Sequence, residues 1–261
     1  MSDLDETDFL AWTERQAELR RHIAAGRDGR TQAAGMAICW ICNQVQGTTG
    51  EHKSKRSDLK GVFGSKGGLY LHTEQRRNRR VQSIDSKFLK FGAPMCETCN
   101  GARTQPHDLA WEALSYFLRT RKPAIKPGAV IRCNRVFPTN TSQKMLGVHL
   151  FFVKWLGCQI VEAGIAIRPP IETFSQAIMT GRAHPNLWLS FGCTEQAKGI
   201  IMVSGSEVDA DSLTAGAGFD YLARFYNVDR LAVRVRFSSV RLPNDWHPQD
   251  RNRFVIQDFC A

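Results

Sequence analysis

Two short-spaced cysteine pairs, Cys39-Trp-Ile-Cys42 and Cys96-Glu-Thr-Cys99, restrict what this chain can fold into more than any other feature of it. A two-residue spacer lets both sulfurs of a tight turn reach one ion at about 2.3 Å, and two such pairs complete a tetrahedral thiolate site of the structural zinc type. Buried thiols spaced by coincidence are the competing reading. The 53 residues between Cys42 and Cys96 exceed the spacing of a simple ribbon, so something of its own must be folded between the two knuckles. Disulfides are not expected, because the N-terminus carries Asp3, Asp5, Glu6 and Asp8 where a secretory signal would carry positive charge. That points to the cytoplasm, where thiols stay reduced. Cys133, Cys158, Cys193 and Cys260 stand alone and read as small buried hydrophobes.

Most of the chain's charge excess lies between the two pairs. Lys and Arg number 35 against 25 Asp and Glu, a net of +10, and from His52 to Lys90 alone eleven basic residues stand against three acidic ones, a net of +8. An excess this local points to a polyanion, nucleic acid with DNA foremost, rather than to a merely solvated face. Lys53, Lys55, Arg56, Arg76, Arg77, Arg79 and Arg80 are the candidates to hold phosphates. Residues 61–80, rich in Gly, Lys and Arg, read as a loop or short hairpin over the nucleic-acid backbone.

The rest of the 261 residues divides into three parts, consistent with one to two domains of about 150 residues. Residues 8–25 read as an amphipathic helix, acidic at its start and basic at its end, so residues 1–30 form an N-terminal helical segment. Residues 31–125 hold the knuckles, with a short helix opening at Asn100 and ending before Pro106, then a longer one from Asp108 to about Arg121. A boundary falls near 123–128, after which clustered charge thins out. Residues 128–261 read as α+β, with helices at about 143–162 and 171–180. The alternation of Leu231, Val233, Val235 and Phe237 with Ala232, Arg234 and Arg236 reads as a half-buried strand with a basic outer face. No membrane span is expected, since the best apolar run, Met145 to Ile167, is broken by His149, Lys154, Gln159 and Glu162. Nothing in the sequence speaks to oligomeric state.

Chemistry concentrates at Glu51-His52 and Asn100. Phosphodiester hydrolysis needs a divalent cation, a base to activate water, and cationic groups to hold the strand. Adjacent residues on a strand point to opposite faces, so one of Glu51 and His52 would bind the ion while the other faces the water. Asn100, directly after Cys99, offers a neutral oxygen that Mg²⁺ accepts. His72 and His107 are weaker candidates; His22, His149, His184 and His247 have no partner spacing and read as structural, and Trp40 and Trp111 as core.

These residues, Cys-x-x-Cys, then Glu-His, then Cys-x-x-Cys-Asn-x-x-Arg-Thr, resemble the zinc-stapled HNH endonuclease family over about residues 37–105. The resemblance implies a ββα-metal core of treble-clef type, hence an α+β protein in which a zinc-stapled HNH-like domain precedes a second α+β domain. It implies that Cys39, Cys42, Cys96 and Cys99 hold structural zinc. Glu51 and Asn100 would hold a catalytic Mg²⁺ or Mn²⁺, His52 would be the general base, and Arg103 would contact phosphate. The family's middle Asn has no counterpart in Ser83–Phe91 beyond Asp85 or Ser86. Two functions therefore stand: a metal-dependent nuclease, and a non-catalytic zinc-stapled module that binds nucleic acid.

Overall fold

The computed structural model describes residues 36–64, 69–71, 79–164, 167, 169–194, 201–208 and 221–259. The N-terminal helix expected over 8–25, and Arg76 and Arg77 in the basic segment, lie outside them. Within them the fold is a mixture of helices and small sheets, α+β as the sequence indicates. Strands β1 (Met36–Ile38) and β2 (Val45–Thr49) form a hairpin across the first cysteine pair, followed by helix α1 (Arg56–Phe63). A second hairpin joins β3 (Leu69–Leu71) to β4 (Arg79–Val81). The short β5 (Met95–Cys96) returns to pair with β2, making a three-stranded antiparallel sheet.

Cys99–Arg103 form a single wide π-type turn that runs through Thr104 into α2 (Gln105–Thr120). The sequence places Pro106 between two helices; in the structure it sits in the first turn of α2, where its missing N–H has no helical partner to lose. After β6 (Val130–Arg132) comes α3 (Thr141–Ala163), and then α4 (Glu172–Thr180). Both end on glycines with left-handed backbone, Gly164 and Gly181, the conformation that closes a helix C-terminus at least cost. Strands β7 (Leu187–Cys193), β8 (Ile201–Val208), β9 (Tyr221–Val228), β10 (Leu231–Ser238), β11 (Arg253–Val255) and β12 (Gln257–Asp258) complete the chain. They build a five-stranded sheet in the order β12-β7-β10-β9-β8, while β11 pairs with β6.

Helix α3 is buried on nearly every side, including Val148, Phe151, Phe152, Trp155 and Leu156. It is long and apolar enough to cross a membrane, yet 83% of its most apolar window is buried inside the protein, as in a core helix. Trp111 of α2 stacks on Phe151 at 5.5 Å and meets Phe152 and Tyr226 edge-on at 4.8 and 5.4 Å. One apolar cluster runs from Cys39 to Ile256, so residues on both sides of 123–128 share a core. The Asp58 carboxylate of α1, 1% exposed, reinforces this junction. It accepts hydrogen bonds from Trp111 Nε1, Ser115 Oγ, Arg119 and Tyr226 Oη at 2.7–3.0 Å.

The strand expected at 231–237 is β10, but its outer face differs from expectation. Arg236 is buried and paired with the buried Asp245, which itself accepts from Ser190 Oγ and Leu242 N. Alternation of charged and apolar residues marks which side chains leave a sheet face, not whether a later loop covers that face.

Candidate metal centre and active site

Hairpin β1–β2 and the β5 turn place the two cysteine pairs against each other. All four sulfurs of Cys39, Cys42, Cys96 and Cys99 lie within 4.8 Å of one another, and Cys42 Sγ is 3.8 Å from Cys96 Sγ. Zinc–sulfur bonds of 2.3 Å in a tetrahedron put neighbouring sulfurs about 3.8 Å apart, so the group fits a zinc ion. Burial raises the Cys39 and Cys99 thiols, and for Cys99 the neighbouring Cys39 raises it further. Four thiols this close together ionise together only around a cation. Arg103 turns toward this centre: its Nη1 lies 2.7 Å from Cys99 Sγ, so the side chain expected on phosphate is engaged with a metal ligand. The six-membered ring edge of Trp40 abuts Gly157 of α3, where any Cβ would collide with it.

Beyond β2 the chain stays extended against 89–91. Lys53 N donates to Leu89 O and Phe91 N to Glu51 O, both at 2.7 Å, flanking a bridge between His52 and Lys90. Consecutive side chains therefore leave opposite faces, as the sequence indicates. Glu51 points inward. Its Oε1 is 3.2 Å from Nζ of Lys154, a fully buried lysine on α3 that also donates to Asp108 Oδ1 at 2.8 Å. Lys55 closes the group on Asp108 Oδ2 at 3.2 Å. Burial raises the Glu51 carboxyl, with Lys154 opposing; burial would lower the Lys154 ammonium, but Glu51 and Asp108 outweigh it and raise it.

His52 faces the other way. Its Nε2 is buried without a hydrogen-bond partner, 3.7 Å from Asp85 Oδ1, and Asp85 is held by both ends of the Arg56 guanidinium at 2.7 and 2.9 Å. Burial lowers the His52 imidazole and the Lys90 charge lowers it further. Asn100 is fixed from the zinc side: its Nδ2 donates to Thr49 Oγ1 at 2.8 Å, while its Oδ1 is buried without a partner. Thr49 is two residues from Glu51, so Asn100 and the Glu-His pair are tied to the same end of the small sheet.

The basic candidates divide. Lys53 pairs with Glu162 at 3.2 Å, Lys55 with Asp108 and Arg56 with Asp85, so these three are partly neutralised from elsewhere in the fold. Arg79 lies over the Phe88 ring, and Arg80 is exposed on β4. Sequence reading missed Lys154, Asp108 and Asp58. One signal for Lys154 was present, a single lysine inside an otherwise apolar helical run, a position where an amine needs buried partners. Compared with known proteins, the chain matches no family model, no curated protein and no solved structure.

Proposed function

We propose that this protein is a metal-dependent nuclease of HNH type, with zinc on the four cysteines, His52 as general base, and Mg²⁺ or Mn²⁺ taken by Asn100 and Glu51. The observation that carries the reading is the pair of buried polar atoms without a hydrogen bond, His52 Nε2, with only the Asp85 carboxylate 3.7 Å away, and Asn100 Oδ1, on residues tied to the same small sheet. Buried polar atoms are rarely left unpaired without a reason, and these two are an acceptor for a proton and an oxygen donor for a hard cation. A small antiparallel sheet that continues, after α1 and the β3–β4 ribbon, through the second cysteine turn into α2 supports a ββα-metal core with an insertion.

A bound divalent cation would polarise the scissile phosphate and stabilise its added charge. The protein's part is to hold the strand and move one proton. His52 Nε2 takes the proton of the attacking water, and Lys90, beside it, lies where an approaching phosphate would find positive charge. Asp85, fixed by Arg56, lies 3.7 Å from that same His52 nitrogen, where its charge favours the imidazolium that forms. Glu51 favours the second reading, a binding module without catalysis, because one of its carboxylate oxygens is already taken by Lys154.

Cleavage of plasmid and single-stranded DNA with and without Mg²⁺ or Mn²⁺ separates the two. His52→Ala should lower metal-dependent cleavage by roughly 10²-fold or more while zinc content and binding stay unchanged. A zinc-loaded wild type that binds but cuts no DNA or RNA, with His52→Ala indistinguishable from it, leaves the binding module.

A further inference from the structure

We propose that the β3–β4 ribbon and the adjoining turn at Lys87–Leu89 offer two stacking positions for unpaired bases, Tyr70 and Phe88, so that the strand delivered to the site is single-stranded or locally opened. This rests on reading the site as one that takes a nucleic acid.

The ribbon's register puts Leu69 opposite Val81, Tyr70 opposite Arg80 and Leu71 opposite Arg79. Leu69 and Val81 are buried against Leu59 and Ile84, so strand alternation turns Tyr70 and Arg80 outward together. Tyr70 is 62% exposed, among the most exposed large hydrophobic side chains described. At the inner rim the Arg79 guanidinium stacks on the Phe88 ring at 3.3 Å from its centroid, with Lys87 Nζ at 5.8 Å from the same ring. Among the described residues no carboxylate forms an ion pair with Arg79, Arg80 or Lys87, in contrast to Lys53, Lys55 and Arg56. The same alternation puts Arg79, and the Phe88 ring it stacks on, at the edge of the ribbon's other face, so the two rings, each beside an arginine with charge left over, flank the ribbon on either side. Phe88 is two residues from Lys90, which bridges to His52, so a strand stacked on Phe88 leads into the site.

Phosphates alone would need only the cations. Aromatic faces add something for a partner whose base faces are accessible, and a duplex hides those faces in its own stack. Charge complementarity and exposed rings together select an unpaired strand over a duplex.

The test is fluorescence anisotropy on zinc-loaded His52→Ala protein, without added divalent cation, so that nothing is cut. Probes are labelled oligo-dT and oligo-rU of about 20 nucleotides, an abasic strand of equal length and charge, and a duplex. The proposal expects a base-bearing strand to bind about tenfold more tightly than the abasic one, the size of one or two stacking contacts. Tyr70→Ala should remove most of that preference, as should Phe88→Leu, which keeps apolar bulk, while Tyr70→Phe should retain it. The dT and rU arms tell which sugar is preferred; either one favoured over the abasic strand supports the proposal. Equal binding of base-bearing and abasic strands, or tighter binding of the duplex, overturns it. Cleavage by wild type without any base preference would sink this proposal alone, and base preference without cleavage would sink only the catalytic reading.

Discussion

The cysteine centre and the centre of Glu51, Lys154 and Asp108 meet at one threonine. Thr104 Oγ1 donates to Cys99 O at 2.8 Å and lies 3.4 Å from Lys154 Nζ. They answer opposite electrostatic problems. Four thiols gathered within 4.8 Å are all potential anions, a group that a cation from solution could hold together. The carboxylates of Glu51 and Asp108 are served by ammonium groups of the chain itself, Lys154 and Lys55. The difference teaches that a cluster's room for a metal depends on how much of its charge the chain already neutralises, one guanidinium for four thiols here against two ammonium groups for two carboxylates. Any cation bound at Glu51 shares that carboxylate with Lys154, whereas one bound at the cysteines meets a single internal cation, Arg103, on one sulfur of the four.

The comparison breaks most visibly if the metal is removed. Cys96→Ser should abolish bound zinc and prevent stable folding of the hairpin and β5, because structural zinc contributes roughly 10 kcal/mol or more to small sites of this kind. Elemental analysis with thermal unfolding checks this; a variant as stable as wild type would show that the thiols need no ion. The self-contained centre should fail less completely. Lys154→Met leaves Glu51 and Asp108 short of a partner in the core and should cost about 3–5 kcal/mol in urea unfolding. Adding Glu51→Gln to it should recover part of the loss, since the uncompensated charge is then gone. Additive losses in the double variant would mean that the two side chains are not coupled.

A third buried polar group sharpens the contrast because it carries no charge at all. His149 Nε2 accepts from His184 N, and His247 contacts His184 O. Burial, then the neighbouring His247, lowers the His184 imidazole to about 3. With its folded value below the unfolded one, the unfolded chain binds more protons, so stability is full above about pH 6.5 and is lost as pH falls. Between pH 6.5 and 5 the loss from His184 should be roughly 2 kcal/mol. His184→Asn should flatten the urea-unfolding profile by that amount over this window; an unchanged slope would mean that His184 is not held neutral.

Local spacing carried the parts of the site that lie close in sequence. The cysteine pairs, the opposite orientations of Glu51 and His52, and the position of Asn100 after a ligand all follow from short-range geometry, since a turn or a strand fixes neighbours within two or three residues. Helices α3 and α4 and strand β10 were legible for a similar reason, their periodicity being a local property. Hidden were the side chains that arrive from elsewhere: Lys154 at Glu51, Asp108 between two lysines, Tyr226 and Asp58 across 168 positions, and Asp245 over Arg236.

What the amino-acid sequence determined by itself was therefore the chemistry available: two cysteine pairs that fit a zinc ion, with a Glu-His pair and a basic segment in the stretch between them. Tertiary structure decided which of those charges remain available. Lys53, Lys55, Arg56 and Arg103 look alike in sequence to Arg79 and Arg80, yet the first four are engaged by Glu162, Asp108, Asp85 and Cys99. A charge is spent or free according to what packs against it, and that depends on long-range folding that no local pattern encodes.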